Sequence, residues 1–447
     1  GGTARDPPGH RKGRPGDGRA PDQKHRELDD ICQGYGLEAA VNLTTVLWLG
    51  GLSVSSVLGV SIFAGMFGLA AFAIVYSING GLKAVALTDI IQLAVLLVGG
   101  AAITWSALSM AGGVTGGPAA GWSKLVETLP GHFRMILSAD HPAYQDLPGI
   151  WTLLGGLWVL HFSYWGFNQY IIQRALGAQS LQEAQKGLAF AAFLKLLVPL
   201  IVVLPGIAMV SLVQQGLVDG SALDPAVCAV AGDLTTCGKP DRVYAELMRL
   251  TPPGFRGLVF AALIAAIVSS LASMMNSIAT IFTMDIYRRS VPNRREQHYV
   301  TIGRLTAATA MIIALFLAQP FIGGFESGFQ TVQEYSGFVA PGIVAVFLLG
   351  FFWKRTNAVG AFAALVSSLA LNVLLKLGAE GIPFVIRIWL VFLTCVLAGV
   401  VASMLSREDP RAQVVELGDI SFATTRMFTG LSVGVGGILV AIYAVLW

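Results

Sequence analysis

Charged residues are scarce in this chain. Asp, Glu, Lys and Arg make up 12% of its 447 residues, whereas a soluble domain carries about 25%. Hydrophobic residues make up 55%, and the mean hydropathy is +0.68. This composition predicts a polytopic membrane protein surrounded by lipid. The net charge of +3 is small and spread over several connections, so it gives no reason to expect a nucleic-acid partner.

Cysteine is also rare, and the four cysteines do not have the spacing of a metal site. Cys228 and Cys237 lie in one hydrophilic stretch and can pair only if that stretch faces an oxidising compartment. Whether they do is left open. The sequence shows no intramembrane nucleophile beside a base, no repeated His or Cys ligands and no phosphate-binding loop. We therefore expect neither an enzyme nor an organic cofactor.

Long apolar stretches dominate the rest of the chain. About eleven of them can supply the roughly 20 helical residues that a membrane crossing needs. They lack the alternation of strands, and an open sheet edge cannot be satisfied in lipid, so the predicted fold class is all-α. The stretches cover residues 36–58, 60–78, 84–112, 149–176, 186–215, 255–287, 300–321, 329–353, 357–378, 384–406 and 424–447.

Basic residues in the short connections predict the orientation. If the chain crosses the membrane at each of these stretches, the basic connections all lie on the same side of the membrane. By the positive-inside rule this side is the cytoplasm. The same parity places the long loops 113–148 and 216–254, and the C-terminal Trp447, outside. The connections used are 174–186, 288–304, 354–355 and 407–411.

Polar side chains at membrane depth mark the first candidate site. The stretch 149–176 is expected to be one helix, and 186–215 a second that breaks at Pro205-Gly206. Lys195 lies within the second, and an ionisable group there is costly unless it faces a wet cavity or a partner. We interpret the two stretches as half of a solute site. The first stretch contributes His161, Ser163, Tyr164, Trp165, Asn168 and Gln169.

A second candidate is a stripe of small polar residues in the stretch 255–287. Two interpretations stay open: such stripes pack membrane helices together, and the neutral oxygens of adjacent serines suit a weakly bound Na⁺. A further interruption is expected at Gly80-Gly81, shortly before Asp89. The stripe consists of Ser269, Ser270, Ser273, Asn276, Ser277 and Thr280.

Through several of its stretches the chain closely resembles the solute:sodium symporter family, in its sodium/glucose cotransporter branch. The likeness runs from about residue 37 to the C-terminus without a large gap. The matching stretches are Val41-Asn42-Leu43-Thr44, Gly80-Gly81-Leu82 through Asp89, Tyr164 to Arg174, Ala191-Ala192-Phe193-Leu194-Lys195, Pro205-Gly206, Ala265 to Tyr287, Gln333-Glu334-Tyr335 and Pro341-Gly342.

The resemblance implies a LeuT-like core of two inverted five-helix repeats, with ligand sites near midplane. Residues 36–353 would form core helices three to ten, with external loops 113–148 and 216–254, and residues 354–447 three peripheral helices. No stretch matches core helices one and two, so we expect the chain to be N-terminally incomplete. Residues 1–35 are expected to be disordered, as a cytoplasmic tail or a non-native lead-in.

The resemblance also implies a sugar site. Lys195 would donate hydrogen bonds to sugar hydroxyls, Tyr164 would stack on the pyranose, and Phe329 would cover the cavity. Tyr164 and Trp165 could instead form an interfacial belt. His161 stands where galactose carriers of this branch have an amide, and a structural histidine bonded to a backbone carbonyl is its alternative. The implied substrate-binding residues are Asn42, His161, Tyr164, Trp165, Lys195, Phe329 and Gln333.

For the coupling ion, the resemblance implies Na⁺ held by the carbonyl of Ala266 and the hydroxyls of Ser269 and Ser270, with further ligands from the first core helix. Asp89 would lie on the intracellular ion route; a helix cap or an ion pair with a basic residue is its alternative.

The implied function is sodium-driven symport of a galactose- or glucose-like sugar across the bacterial inner membrane, by alternating access. The alternatives are symport of another polyol or small organic solute, and a fragment without activity of its own. The sequence does not predict the oligomeric state.

Overall fold

The computed structural model describes residues 23–113, 115–218, 240–323, 328–379, 381–406 and 423–447. Every regular element in these ranges is a helix. The prediction of an all-α protein is therefore confirmed for the described residues.

Four long helices form the main packed unit. They are α1 (Gln23–Leu58), α2 (Ile62–Ala111), α10 (Pro253–Thr280) and α12 (Glu296–Ile322), and each packs against the other three. Their shared core is apolar, and this packing fixes the face of α1 that carries Asn42 and the face of α10 that carries the serines. Core side chains with no exposed surface include Leu43, Leu47, Met66, Leu271, Met275 and Met311.

Helix α1 begins at Gln23. The structure describes residues 23–35 as part of this helix, while residues 1–22 lie outside the described part of the chain. Residues 23–29 read QKHRELD, and Gln, Lys, Arg, Glu and Leu all have high helix propensity. An apolar helix can therefore continue into a polar stretch beyond the membrane, where hydropathy gives no signal.

Helix α2 is continuous through the expected interruption at Gly80-Gly81, so the prediction of two separate helices is wrong. The helix is nevertheless bent. Tyr76 and Thr88 are 12 positions apart, yet their hydroxyl groups are hydrogen-bonded. A straight helix would separate these residues by about 18 Å, which the two side chains cannot bridge. The chain must therefore change direction between them, and glycine pairs are a common cause of helix kinks.

The stretch 149–176 is a broken helix. Its pieces are α4 (Ile150–Leu154), α5 (Gly156–His161), a π-helical turn (Phe162–Phe167) and α6 (Gln169–Leu176). The prediction of one uninterrupted helix is wrong here. Asn168 ends the π turn with an extended backbone, and its side chain accepts a hydrogen bond of 3.3 Å from the amide of Tyr170. It thereby caps the first turn of α6.

The stretch 186–215 is also interrupted, but not where the sequence predicts. Helix α7 (Leu181–Lys195) is followed by a π-helical turn (Pro199–Val203) and then by α8 (Leu204–Gln214). Pro205-Gly206 lies in the first turn of α8. Proline is tolerated there because the first amide groups of a helix have no partner within it. The interruption therefore covers residues 196–203 and ends just before Pro205.

The remaining helices complete the bundle. Helices α13, α14 and α15 pack against one another beside α5, whereas α16 packs on α7 and has no buried residue. These elements are α3 (Gly117–Thr128), α9 (Pro240–Arg249), a π-helical turn (Ile281–Tyr287) that extends α10, α11 (Arg288–Ser290), α13 (Gly328–Phe352), α14 (Ala358–Gly378), α15 (Phe384–Leu405) and α16 (Arg426–Val445).

An ion pair ties the three helices α13, α14 and α15 together. The guanidinium of Arg387 on α15 is 2.5 Å from Oε1 of Glu334 on α13. The ammonium of Lys376 on α14 is 3.3 Å from the same oxygen. The side chain of Arg387 is only 6% exposed. Since Glu334 follows Gln333 in sequence, this pair fixes the helix that carries one of the predicted site residues.

Nine helices of the described residues are long and apolar enough to cross a membrane. Of the eleven predicted stretches, 60–78 corresponds to the N-terminal part of α2, whose apolar portion Ile62–Ile78 is shorter than a membrane crossing. The other stretch that falls short is 149–176, because of its breaks.

The contact between α5 and α15 depends on Gly156. A Cβ atom at this position would lie 2.1 Å from the carbonyl oxygen of Val385. We expect Gly156→Ala to lower the free energy of unfolding by about 1–3 kcal/mol, because the two backbones must separate. Thermal unfolding in lipid nanodiscs would measure this. Gly187→Ala on α7 is the control, since a Cβ there meets nothing within 4 Å; equal destabilisation by both substitutions would contradict the close contact.

Candidate functional site

A cavity of about 590 Å³ lies between α1, the broken segment α5–α6, α7, α10 and α13. Side chains predicted from five separate stretches of sequence meet on its wall. Those that line it are Asn42, His161, Ser163, Tyr164, Trp165, Lys195, Ser270, Ser273 and Gln333, whereas Asn168 and Gln169 do not. The structure therefore brings most of the predicted site residues together.

The π turn presents the aromatic side chains of the cavity. Tyr164 contacts Trp165 edge to face, with ring centroids 5.1 Å apart. It contacts Tyr170 in the same way at 5.9 Å. A π turn holds one more residue than an α turn and is frequent at functional sites. Here the turn contributes Ser163, Tyr164 and Trp165 to the wall of one cavity.

Lys195 ends α7 and reaches across the cavity. Its ammonium lies 4.0 Å from the centroid of the Trp165 ring, a cation–π contact. Within the described part of the chain, no carboxylate lies close enough to form an ion pair with it. His161 lines the same wall. This side of the cavity therefore offers hydrogen-bond donors above an aromatic surface.

Helices α1 and α13 contribute amide groups to the wall of the cavity. Asn42 on α1 is 3% exposed, and its Oδ1 atom is buried without a hydrogen-bond partner among the described residues. Gln333 on α13 adds a second amide. A buried amide oxygen normally has a partner, so this wall is suited to a ligand with hydroxyl groups.

The residues predicted to bind Na⁺ do not all face the cavity. Ser270 lines it, whereas Ser269 is 3% exposed and its hydroxyl donates to Oδ1 of Asp89. Ala266 is half-buried on α10 and does not line the cavity. Consecutive residues of an α-helix point about 100° apart, so the two serines address different neighbours.

Asp89 forms an ion pair with Arg174 on α6, at 2.8 Å. This is the alternative that the sequence left open for Asp89. Arg174 also donates to the hydroxyl of Ser273, at 2.8 Å, and to the carbonyl of Tyr170, at 3.1 Å. Asp89, Arg174, Ser269 and Ser273 thus form one connected cluster, hereafter the Arg174 cluster.

Sequence reasoning did not assign Arg174 to the cavity wall, and it placed Ser273 only in the polar stripe of α10. Arg174 counted only as a marker of orientation. Arg174 lies four residues after Tyr170, so the two side chains are on one face of α6. This spacing could have predicted that Arg174 lines the cavity. Ser273 lies three residues after Ser270 and could have been assigned to the same face of α10 in the same way.

Some predicted residues cannot be placed. The backbone of Phe329 is part of α13, but its side chain lies outside the described residues, as do Cys228 and Cys237. Among the residues that the structure describes, no group of His, Cys, Asp or Glu could hold a metal ion by itself. The described cavity can therefore bind a neutral, hydroxylated molecule through donors, acceptors and aromatic faces.

Sequence comparison adds relatives to this geometry. A sequence model of the sodium:solute symporter family matches residues 37–367. The chain is 46% identical to a sodium/glucose cotransporter of Vibrio parahaemolyticus, over 91% of this chain and 74% of that protein. It is 32% identical to the human sodium/myo-inositol cotransporter 2 and 33% identical to a bovine sodium/mannose cotransporter. The match to the myo-inositol cotransporter covers 73% of this chain and 49% of that protein. The match to the mannose cotransporter covers 75% of this chain and 57% of that protein.

Among solved structures, a Na⁺-coupled sialic acid symporter in a substrate-bound outward-open state has a similar fold, with a TM-score of 0.67. The match covers 85% of this chain and 75% of that chain, at 23% sequence identity. Identity this low establishes the shared fold alone.

Proposed function

Because the chain belongs to the sodium:solute symporter family, we propose that it carries a galactose- or glucose-like sugar across the bacterial plasma membrane by sodium-driven symport. The observation that supports this most is the cavity itself, where the Lys195 amine and aromatic rings converge with an amide oxygen that has no partner among the described residues. The positive-inside rule would then place the C-terminus outside.

The side chains of the cavity match the surface of a sugar. A pyranose has an apolar C–H face and a polar rim of hydroxyl groups. Tyr164 or Trp165 can stack on the face, while Lys195 donates to the rim and Asn42 Oδ1 accepts from it. His161 and Gln333 extend the same rim of polar groups. Each hydroxyl can thereby replace a hydrogen bond that it made to water.

The ion site that we propose uses the hydroxyls of Ser269 and Ser270 and the carbonyl of Ala266. The hydroxyl of Ser269 donates to Asp89, which leaves its lone pairs free for a cation. We also assign Asp89, which is paired with Arg174 at 2.8 Å, to the intracellular ion route. Sodium and sugar stabilise each other through a reciprocal coupling free energy, and the membrane potential adds about 2.3 kcal/mol per charge per 100 mV.

A different polyol is the second candidate substrate, because the relatives include cotransporters of myo-inositol and mannose. Competition with labelled glucose by these compounds distinguishes the candidates. The chain as given could also be a piece without activity of its own, and uptake measurements test that directly.

The test is uptake of labelled glucose into proteoliposomes with an inward sodium gradient. We expect sodium-dependent uptake, with Ser270→Ala raising the half-saturating sodium concentration by about tenfold, the equivalent of about 1.4 kcal/mol. Ser277→Ala is the control: Ser277 is buried on α10 but does not line the cavity. Sodium-independent uptake by the unaltered chain would reject symport, and equal effects of both substitutions would reject the ion site.

A further inference from the structure

A second cavity, of about 440 Å³, lies between α2, the C-terminal half of α10 with its π turn, and α12. No residue lines both cavities. They are close neighbours, however, because Arg174 lines the first and Gln173 the second. On α10, Ser273 lines the first and Asn276, one turn later, lines the second. The Arg174 cluster therefore forms part of the wall between them.

The second cavity contains buried polar groups without partners. Thr283 is 4% exposed, and its hydroxyl has no hydrogen-bond partner among the described residues. The same holds for Nδ2 of Asn276, whose Oδ1 accepts a hydrogen bond of 3.0 Å from Ser77. Buried groups of this kind are normally satisfied by protein or by a bound molecule. Together they offer a donor, and a hydroxyl that can donate or accept, to an occupant of this cavity.

The charges of this cavity lie at its exposed edge. Glu296 is paired with Arg288 at 3.0 Å, and Arg304 is exposed. The inner wall carries only neutral groups, Ser77, Asn276 and Thr283 among them. An ion buried there would lose its hydration without a countercharge. A neutral molecule with several hydroxyl groups is therefore the better fit.

We propose that this cavity is a second, weaker site for the transported sugar, on the cytoplasmic side of the first. This inference rests on the proposed symport of a sugar. The arginine-rich connection 288–304 borders the cavity, and the positive-inside rule places that connection in the cytoplasm. A sugar that leaves the first cavity past a rearranged Arg174 cluster enters a space with free hydrogen-bonding groups.

The test is equilibrium binding of tritiated glucose to the full chain in nanodiscs. We expect two saturable components, of which Lys195→Met weakens the tighter one. Thr283→Val should raise the dissociation constant of the weaker component roughly three- to tenfold, the effect of one lost hydrogen bond. Valine has nearly the shape of threonine and removes an unpartnered hydroxyl, so the thermal stability should be unchanged or higher. A purely structural role of Thr283 predicts no change in binding.

Two further variants serve as controls. Thr301→Val on α12 removes a hydroxyl that donates to the carbonyl of Gln297 at 2.9 Å. Thr301 lines neither cavity, so this variant should leave both components unchanged. Thr283→Ser keeps the hydroxyl and should retain the weaker component. Asn276→Leu, which removes the other free group, should weaken that component as Thr283→Val does, and it provides an independent test if Thr283→Val folds poorly.

The outcomes separate this inference from the proposed function. A single component that depends on Lys195 overturns the second site and leaves the symport proposal standing. A weaker component that neither Thr283→Val nor Asn276→Leu affects also overturns it, since that sugar would be bound elsewhere. The absence of any component that Lys195→Met weakens counts against the proposed function itself.

Discussion

Replacing Glu334 by glutamine should lower the free energy of unfolding by about 3–5 kcal/mol. The substitution keeps the shape of the side chain but leaves the guanidinium of Arg387, 6% exposed, without its negative partner. Lys376, the other cation beside Glu334, is 36% exposed and can turn toward water. The cost therefore arises mainly at Arg387.

Unfolding by denaturant in detergent or bicelles would measure this effect. Glu183→Gln is a matched control, because Glu183 pairs with Lys186 on an exposed surface, where such pairs contribute about 0–1 kcal/mol. The double variant Glu334→Gln/Arg387→Met should recover much of the loss, since it removes the stranded charge. If Glu334→Gln is no more destabilising than Glu183→Gln, then the buried pair does not stabilise these helices.

Lys195→Met should weaken sugar binding by roughly 10- to 150-fold, because hydrogen bonds to a charged group contribute about 1.5–3 kcal/mol. Folding should be preserved. Lys195 has no ion pair among the described residues, and methionine keeps an apolar stem over the Trp165 ring. Scintillation proximity binding of labelled glucose, together with thermal unfolding, separates the two effects.

Lys186→Met is the control for this substitution, since Lys186 is on the same helix but exposed and paired with Glu183. It should change sugar affinity little. Unchanged affinity in Lys195→Met would show that the amine does not contact the sugar, and the assignment of the sugar site to this cavity would then fail.

The sequence is informative about the cavity because polar groups are expensive in hydrocarbon. Lys195, His161 and Asn42 come from different helices, yet each is unusual in an apolar stretch, and all three face one cavity. The class of the fold follows from the same physics, since only helices satisfy the backbone of so many long apolar stretches. The predictions that follow from the cost of placing polar groups in lipid, namely the fold class and the cavity residues, therefore agree with the structure.

Backbone irregularities are a different matter. The pattern of apolar residues locates neither the interruption at residues 196–203 nor the direction of the bend in α2. A proline in the first turn and a proline at a break have the same local sequence signal. The pairing of Asp89 with Arg174 joins positions 85 residues apart, which no local pattern reveals. These features had to be observed.

The π turn at Phe162–Phe167 has a mechanical consequence. It stores one residue beyond what an α-helix of the same length would hold. Winding it into regular helix would rotate the preceding residues by about 100° relative to α6. That rotation would carry His161 away from the wall it shares with Lys195, while Asn168 and Arg174 stayed in place. The place of His161 on the same wall as Lys195 therefore depends on the extra residue that this turn contains.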